Sequence, residues 1–162
     1  SWTFVKADFG PDCANILPLK MIPSKRTRIY TTSAHARGVW EFFLDNSNEY
    51  KRSLIDQKIS QTHAAQWGKM GSSLYPNLLT GKRKWAHPPG VDVGSEEPSV
   101  LVRYESVDSE HGFGVWDCHV IDEDSGVGTQ FAVQDVNGDR LVDIVTANKN
   151  GVFLFLQRPK QK

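Results

Sequence analysis

Apolar residues occur along this chain in short runs rich in Val, Ile, Thr, Phe and Trp, with Gly, Asn, Asp or Pro between them. A 3.6-residue period is almost absent. Such a pattern predicts strands joined by turns, and hence an all-β chain. The 13 glycines and eight prolines are spread throughout and leave little room for a long helix.

The strand pattern repeats. Ile16-Leu17-Pro18-Leu19, a polar loop, Arg28–Ser33 and Gly38–Phe42 align with Phe131-Ala132-Val133, a polar loop, Asp143–Asn148 and Gly151–Phe155. A middle copy runs His63–Trp67, a loop, and Asn77–Lys82, with its third strand displaced to about Ser99–Glu105. Arg28 and Asn77 are 49 residues apart, and Asn77 and Asp143 are 66 apart. The excess of 17 is close to the length of a Pro/Gly/acidic insert from about Lys84 to Pro98. A leading strand precedes each copy at Phe4–Asp8, Ser53–Asp56 and His119–Asp122.

Each unit therefore holds about four strands, the size of a β-propeller blade. The expected layout is one propeller segment over 1–162. Residues 1–10 supply the last strand of a preceding blade (Trp2–Lys6), 11–57 form blade one, 58–122 form blade two with its insert at 84–98, and 123–162 form an incomplete blade three. Three blades fall below the usual four to eight. The chain is thus expected to be part of a larger propeller, or to complete a ring with another copy.

Composition narrows the function classes. The 162 residues carry 19 Lys+Arg and 19 Asp+Glu, a formal net charge of zero, which disfavours non-specific nucleic-acid binding. The longest apolar run is far short of the roughly 20 residues that span a bilayer, so no membrane span is expected. Ser1-Trp2-Thr3-Phe4 lacks the basic start and apolar core of a signal peptide, and a mature form or an excised part of a longer chain is expected. Cys13 and Cys118 fit no metal spacing.

The third repeat carries the clearest chemistry. Asp135-Val136-Asn137-Gly138-Asp139-Arg140-Leu141-Val142-Asp143 places oxygen side chains at positions 1, 3, 5 and 9, with the Leu141 carbonyl between them. A hard cation needs six to eight oxygens, and alternating ligands on a tight loop bring them to one point. Gly138 permits the turn. Thr146 stands where an EF-hand would need its Glu, so the loop joins two strands rather than two helices. Ca²⁺ is the expected ion, with Mg²⁺ an alternative; an Asx-rich turn that caps itself is the competing reading. The other copies lack the ligands: Lys20, Ile22, Ser24 and Arg28 stand there in repeat one, and Lys69, Gly71, Ser73 and Asn77 in repeat two. Lys20 and Arg28 either replace the ion's charge or belong to a solvated loop, the second being the simpler expectation.

Asp135–Asp143 followed by Ile144-Val145 resembles the cation loop of FG-GAP/VCBS-type propeller repeats, found in integrin heads and many bacterial secreted proteins. Ser33-Ala34-His35, Ser60-Gln61-Thr62-His63, Thr80–His87 and Asp124–Gln130 further resemble a bacterial and fungal VCBS subgroup that includes the propeller of fungal aldos-2-ulose dehydratase, a sugar-dehydrating metalloenzyme. That enzyme is much longer and carries cupin domains with no counterpart in these 162 residues. The resemblance implies an extracellular or periplasmic protein.

Propeller topology puts the cation loop on one face. The loop between strands two and three, and the approach to strand one, lie on the other. His35, His63, Lys82, Arg83, Trp85, His87, Gln130, Asn148 and Lys149 all map to that second face. Converging imidazoles could hold Zn²⁺ or a similar ion with a position left open; the face could equally be a polar funnel without metal, or each histidine could cap its own loop. Lys82-Arg83-Lys84-Trp85 could grip an anionic sugar or carboxylate, with Trp85 stacking on a sugar face, or be a solvated turn. The insert His87–Pro98 could act as a lid. Trp40, Trp67, Trp116, Phe42 and Phe155 are expected to pack between strands. His119, on an outer strand, and His111, in a turn, are left out of the site.

The leading expectation is a calcium-stabilised propeller module that binds a small polar molecule or glycan. The rival is a metal-dependent sugar lyase using His35, His63 and His87 as catalytic residues, with Lys82 or Arg83 holding substrate. A third is an interaction scaffold.

Overall fold

The fold is that of a computed structural model, which describes residues 1–4, 8–20, 27–47, 49–71, 73, 75–107 and 115–159. No helix occurs among the described residues, and none is long and apolar enough to cross a membrane. Eleven strands follow in order: β1 (Cys13–Lys20), β2 (Thr27–Ser33), β3 (Arg37–Leu44), β4 (Tyr50–Ser60), β5 (Ala65–Gly68), β6 (Asn77–Lys82), β7 (Val100–Ser106), β8 (Trp116–Asp122), β9 (Phe131–Gln134), β10 (Asp143–Asn148) and β11 (Gly151–Phe155). They form three antiparallel sheets in chain order, β1-β2-β3-β4, β5-β6-β7-β8 and β9-β10-β11, none of them closed.

Each sheet is a meander, so every strand pairs with its neighbour in sequence and short turns suffice. The sheets hold four, four and three strands, the numbers expected from the repeats. The displaced strand of the second unit is β7, one residue later than expected. The N-terminal strand expected at 2–6 is not formed by its described part: residues 1–4 lie outside any strand, and Trp2 and Phe4 are exposed. No described strand stands beside them to pair their backbone, and a lone strand is not stable in water. Residues 5–7 lie outside the described residues, as does His111.

The core sits between the sheets in two layers. Tyr30 and Val39 of the first sheet meet Ala65, Leu78, Val102 and Tyr104 of the second, with Trp67 and Trp116 packed against them. The rings of Trp67 and Trp116 meet Tyr30 edge-on, with centroids 4.9 and 5.6 Å away. Leu79 and Leu101 of the second sheet meet Phe131 and Ile144 of the third, with Ala64, Met70 and Val127 completing the layer. Leu78 and Leu79 are adjacent in the chain yet enter different layers, because successive strand side chains point to opposite faces. The middle sheet is covered on both faces, and β6 is accordingly buried at all six residues.

The first strands of the three sheets are neighbours: β1 contacts β5, and β5 contacts β9. Trp67 Nε1 on β5 donates to Pro18 O on β1 at 3.2 Å. A Cβ on Gly68 would stand 2.8 Å from Val133 Cγ1 on β9, so the absent side chain lets β5 and β9 approach. Trp40, Trp67, Trp116 and Phe155 are partly buried and Phe42 is buried, as expected of packing residues.

Candidate functional site

Antiparallel alternation brings three connections to one end of the first two sheets. They are the β2–β3 turn with His35, the β4–β5 link with Gln61 and His63, and the long β6–β7 connection with Lys82 and Arg83 at its start and Trp85, His87 and Asp92 within it. Hydrogen bonds fasten them together. Thr62 Oγ1 donates to Ser33 O and accepts from Ser33 N, both at 3.2 Å. Gln61 N donates to Ala36 O at 3.1 Å, and Arg83 Nη2 donates to Ala34 O at 3.2 Å.

The insert folds down onto this end. Its turns close through Val91 N to Pro88 O, Ser95 N to Asp92 O and Glu97 N to Gly94 O. Glu97 pairs with Arg37 and accepts from Ser60 Oγ at 3.4 Å. Gly94 has φ +70°, and a Cβ there would stand 2.4 Å from Ser60 Oγ. Only glycine fits both the left-handed backbone and the close approach.

The insert thereby sets Asp92 between two imidazoles. His35 Nδ1 lies 3.2 Å from Asp92 Oδ1, and His87 Nδ1 lies 3.1 Å from Oδ1 and 3.0 Å from Oδ2. The two rings stack with centroids 4.9 Å apart and planes at 24°. The Asp92 side chain is only 7% exposed, while those of His35 and His87 are 39% and 52% exposed. Burial raises the Asp92 carboxyl, but the His87 hydrogen bond and the charges of His87 and His35 outweigh it, and the net shift is downward. Among the described residues, His35, His87 and Asp92 form a set of ligand atoms within 4.8 Å of one another.

Around this set lie buried cations and unspent hydrogen-bonding groups. Lys82 is fully buried, and its ammonium donates to the carbonyls of Arg83 and Lys84 at 3.1 and 3.3 Å. Burial, followed by the Arg37 and Arg83 charges, holds its pKa below the usual lysine value, with Glu97 acting the other way. Burial likewise lowers Arg83, with Asp92 opposing. Burial lowers His63, and the charges of Arg83 and His35 lower it further, which favours neutral imidazole. Gln61 is fully buried at φ 53°, a left-handed backbone that a non-glycine residue adopts at a cost of roughly 1–3 kcal/mol. Its amide donates to Val93 O at 3.4 Å. Gln61 Oε1, His63 Nδ1 and Arg83 Nε are all buried without a protein hydrogen-bond partner.

The remaining residues of the expected face make contacts of their own. Two ammonium groups approach the Trp85 ring, Lys84 Nζ at 5.0 Å and Lys149 Nζ at 5.3 Å from its centroid. Asn148 donates through Nδ2 to Ser125 O. Gln130 is exposed just before β9. His119, on β8, lies 3.6 Å from Glu105 and apart from the site, as expected. Asp92 and Gln61 escaped the sequence reading as site residues. Asp92 had a signal, five residues after His87 in a Gly/Pro-rich insert; Gln61 had none.

The 135–143 loop lies at the other end, between β9 and β10. Asp135 Oδ1 accepts from Gly138 N at 2.7 Å and Asn137 N at 3.2 Å, and its Oδ2 accepts from Arg140 N at 2.8 Å. Asn137 Oδ1 accepts from Asp139 N at 2.9 Å, and Asp139 Oδ1 from Leu141 N at 2.8 Å. Asp143 is fully buried and accepts from Val136 N and Gln157 N at 3.0 and 2.9 Å. The backbone bond from Arg140, with those from Gly138, Asn137 and Asp139, holds the Asp135 carboxyl below its usual value against the opposing effect of desolvation. Gly138 takes φ 82° and Arg140 φ 71°, which curl the loop. A carboxylate offers about four lone-pair sites, so these bonds leave acceptor capacity for a hard cation.

Repeat one corrects one expectation. Arg28 is not part of a solvated loop: it is buried, and its Nη1 lies 2.5 Å from Glu41 Oε1, which also accepts from Tyr30 Oη at 2.7 Å. Glu41 stands opposite Tyr30 in the β2–β3 register, and Arg28, two residues earlier on the same face, reaches it diagonally. Residues 21–26, which include Ile22 and Ser24, lie outside the described residues.

Comparison with protein-family models, curated proteins and solved structures finds no match to this chain.

Proposed function

We propose that the chain is a calcium-stabilised segment of a β-propeller that binds a small polar molecule, with carbohydrate the favoured class. The ligand site is the end of the sheets built by residues 33–37, 60–63 and 82–97. One observation carries the binding reading: Gln61 Oε1, His63 Nδ1 and Arg83 Nε are buried without protein partners beside His35, His87 and Asp92. Leaving such groups unsatisfied costs about 1–3 kcal/mol each. A hydroxyl-rich ligand supplies both donors and acceptors, and Trp85, with two lysine ammonium groups near its ring, offers a flat, polarised surface. The propeller part rests on the ordered contact of β1, β5 and β9, the first strands of three successive sheets. The calcium part rests on the acceptor-rich loop at 135–143.

The test is saturation-transfer NMR of the calcium-loaded protein against neutral and acidic mono- and disaccharides. Binding in the millimolar range, about −4 kcal/mol, that is lost in His63→Gln and Trp85→Ala is the expected result. A folded protein that shows no transfer to any of these sugars sinks the carbohydrate reading.

A further inference from the structure

The structure assigns a divalent transition-metal site to His35, His87 and Asp92, a centre separate from the calcium-type loop and independent of whether the bound molecule is a sugar. Two imidazoles and one carboxylate make a donor set that suits zinc, nickel, cobalt or copper; calcium and magnesium prefer oxygen alone. The spacing fits one ion. Nitrogen and oxygen atoms bound to a single tetrahedral zinc at about 2.0–2.2 Å stand roughly 3.3–3.6 Å from each other, and Asp92, at 3.0 to 3.2 Å from both Nδ1 atoms, needs only a few tenths of an ångström of adjustment. All three ligand atoms fall within 4.8 Å.

Burial points the same way. The Asp92 side chain is 7% exposed, and two imidazoles are in hydrogen-bond contact with its carboxylate. A divalent ion held by the carboxylate offsets that charge directly, as buried charges that coordinate metals do. The ligands are also held in advance of binding. His35 sits on a turn fastened by Arg83, Ser33 and Thr62, and Asp92 sits in an insert fastened by Arg37, Ser60 and Glu97. Each clasp is independent of the metal, so little ordering remains to be done when the ion arrives.

Three protein ligands leave a tetrahedral ion one open position. The outer sides of His35 and His87 are exposed, so an ion and an exchangeable ligand can reach the centre. The ligand that completes the sphere is an oxygen donor: water, or a carbonyl, hydroxyl or carboxylate group brought to the open face.

Calorimetric titration of the metal-stripped 162-residue protein with Zn²⁺ at neutral pH, in the presence of millimolar Ca²⁺, tests the site. One equivalent is expected to bind, and Co²⁺ is expected to give the intense visible bands of a four-coordinate ion. His87→Asn and Asp92→Asn are each expected to weaken the binding by more than about tenfold, whereas Asp135→Asn and His119→Asn leave it unchanged. Circular dichroism of each variant establishes that it is folded. Absence of stoichiometric binding overturns the proposal and leaves a metal-free His–Asp–His hydrogen-bonded group. Binding that survives Asp92→Asn, or that is lost equally in His119→Asn, also overturns it. Sugar binding is read by a separate measurement, so its failure and the failure of the metal site are distinguishable.

Discussion

Arg28, Asn77 and Asp143 occupy the same place in the three repeats, at or next to the start of the second strand of each sheet, and all three are buried. A polar group in that place needs partners, and each sheet supplies different ones, although Asn77 Nδ2 is left without one. Arg28 pairs with Glu41; Asn77 Oδ1 accepts from Arg103 Nη1 at 2.6 Å; Asp143 accepts from two backbone amides of the calcium-type loop and the chain after β11. The first solution holds the most charge. Burial, and then Glu41, pushes the Tyr30 hydroxyl pKa far above its ordinary value, so it remains a donor at any ordinary pH. Glu41→Ala removes the carboxylate from both Arg28 and Tyr30, and breaking such a buried pair costs about 3–5 kcal/mol. The midpoint of urea unfolding is expected to fall accordingly, with Glu41→Gln losing less. An unchanged midpoint in Glu41→Ala would show that the buried pair contributes nothing net.

At the scale of elements, β6 is the strand on which the fold depends most. It lies inside the middle sheet and faces a core layer on each side, so neither its edges nor its faces meet water. Gly81 is closely approached: a Cβ there would lie 2.2 Å from Val100 O on β7. A backbone carbonyl in a sheet cannot rotate away as a side chain can. Gly81→Ala is therefore expected to push β7 outward and to cost about 1–3 kcal/mol, read as a lower thermal midpoint together with faster amide exchange over β6 and β7. Equal exchange in variant and parent would place the strain elsewhere. β11 is the opposite case. Among the described residues it pairs only with β10, and Val152 and Leu154 are exposed, so it remains an open edge.

For the whole molecule, three open sheets share two core layers, and the third sheet is the smallest. The proposed ion at 135–143 would tie β9 to β10 within that sheet, and would act through the Phe131 and Ile144 contacts on the layer shared with the middle sheet. If the site binds Ca²⁺ at about 10 µM, then 1 mM Ca²⁺ stabilises the fold by about 2.7 kcal/mol, a rise of roughly 5–10 °C in Tm for a domain of this size. Calorimetric scans with Ca²⁺ and with chelator are expected to differ by that amount, and Asp135→Ala to abolish the difference. Identical scans would remove the ion from the account. The sequence by itself determined the strands from β1 onward, their grouping into sheets of four, four and three, and the loop from Asp135 to Asp143. Alternation, turn residues and ligand spacing are local properties, expressed within a few positions of the chain, which is why β7 fell within one residue of expectation. The tertiary structure alone decided that Asp92 meets His35 across 57 residues, that Gln61 is buried with an oxygen to spare, and that Arg28 leaves the solvent for Glu41. Those contacts follow from how the sheets stack, how the strands register and how the insert folds back. Each of these is fixed by packing summed over the whole molecule, and no short stretch of residues carries its mark.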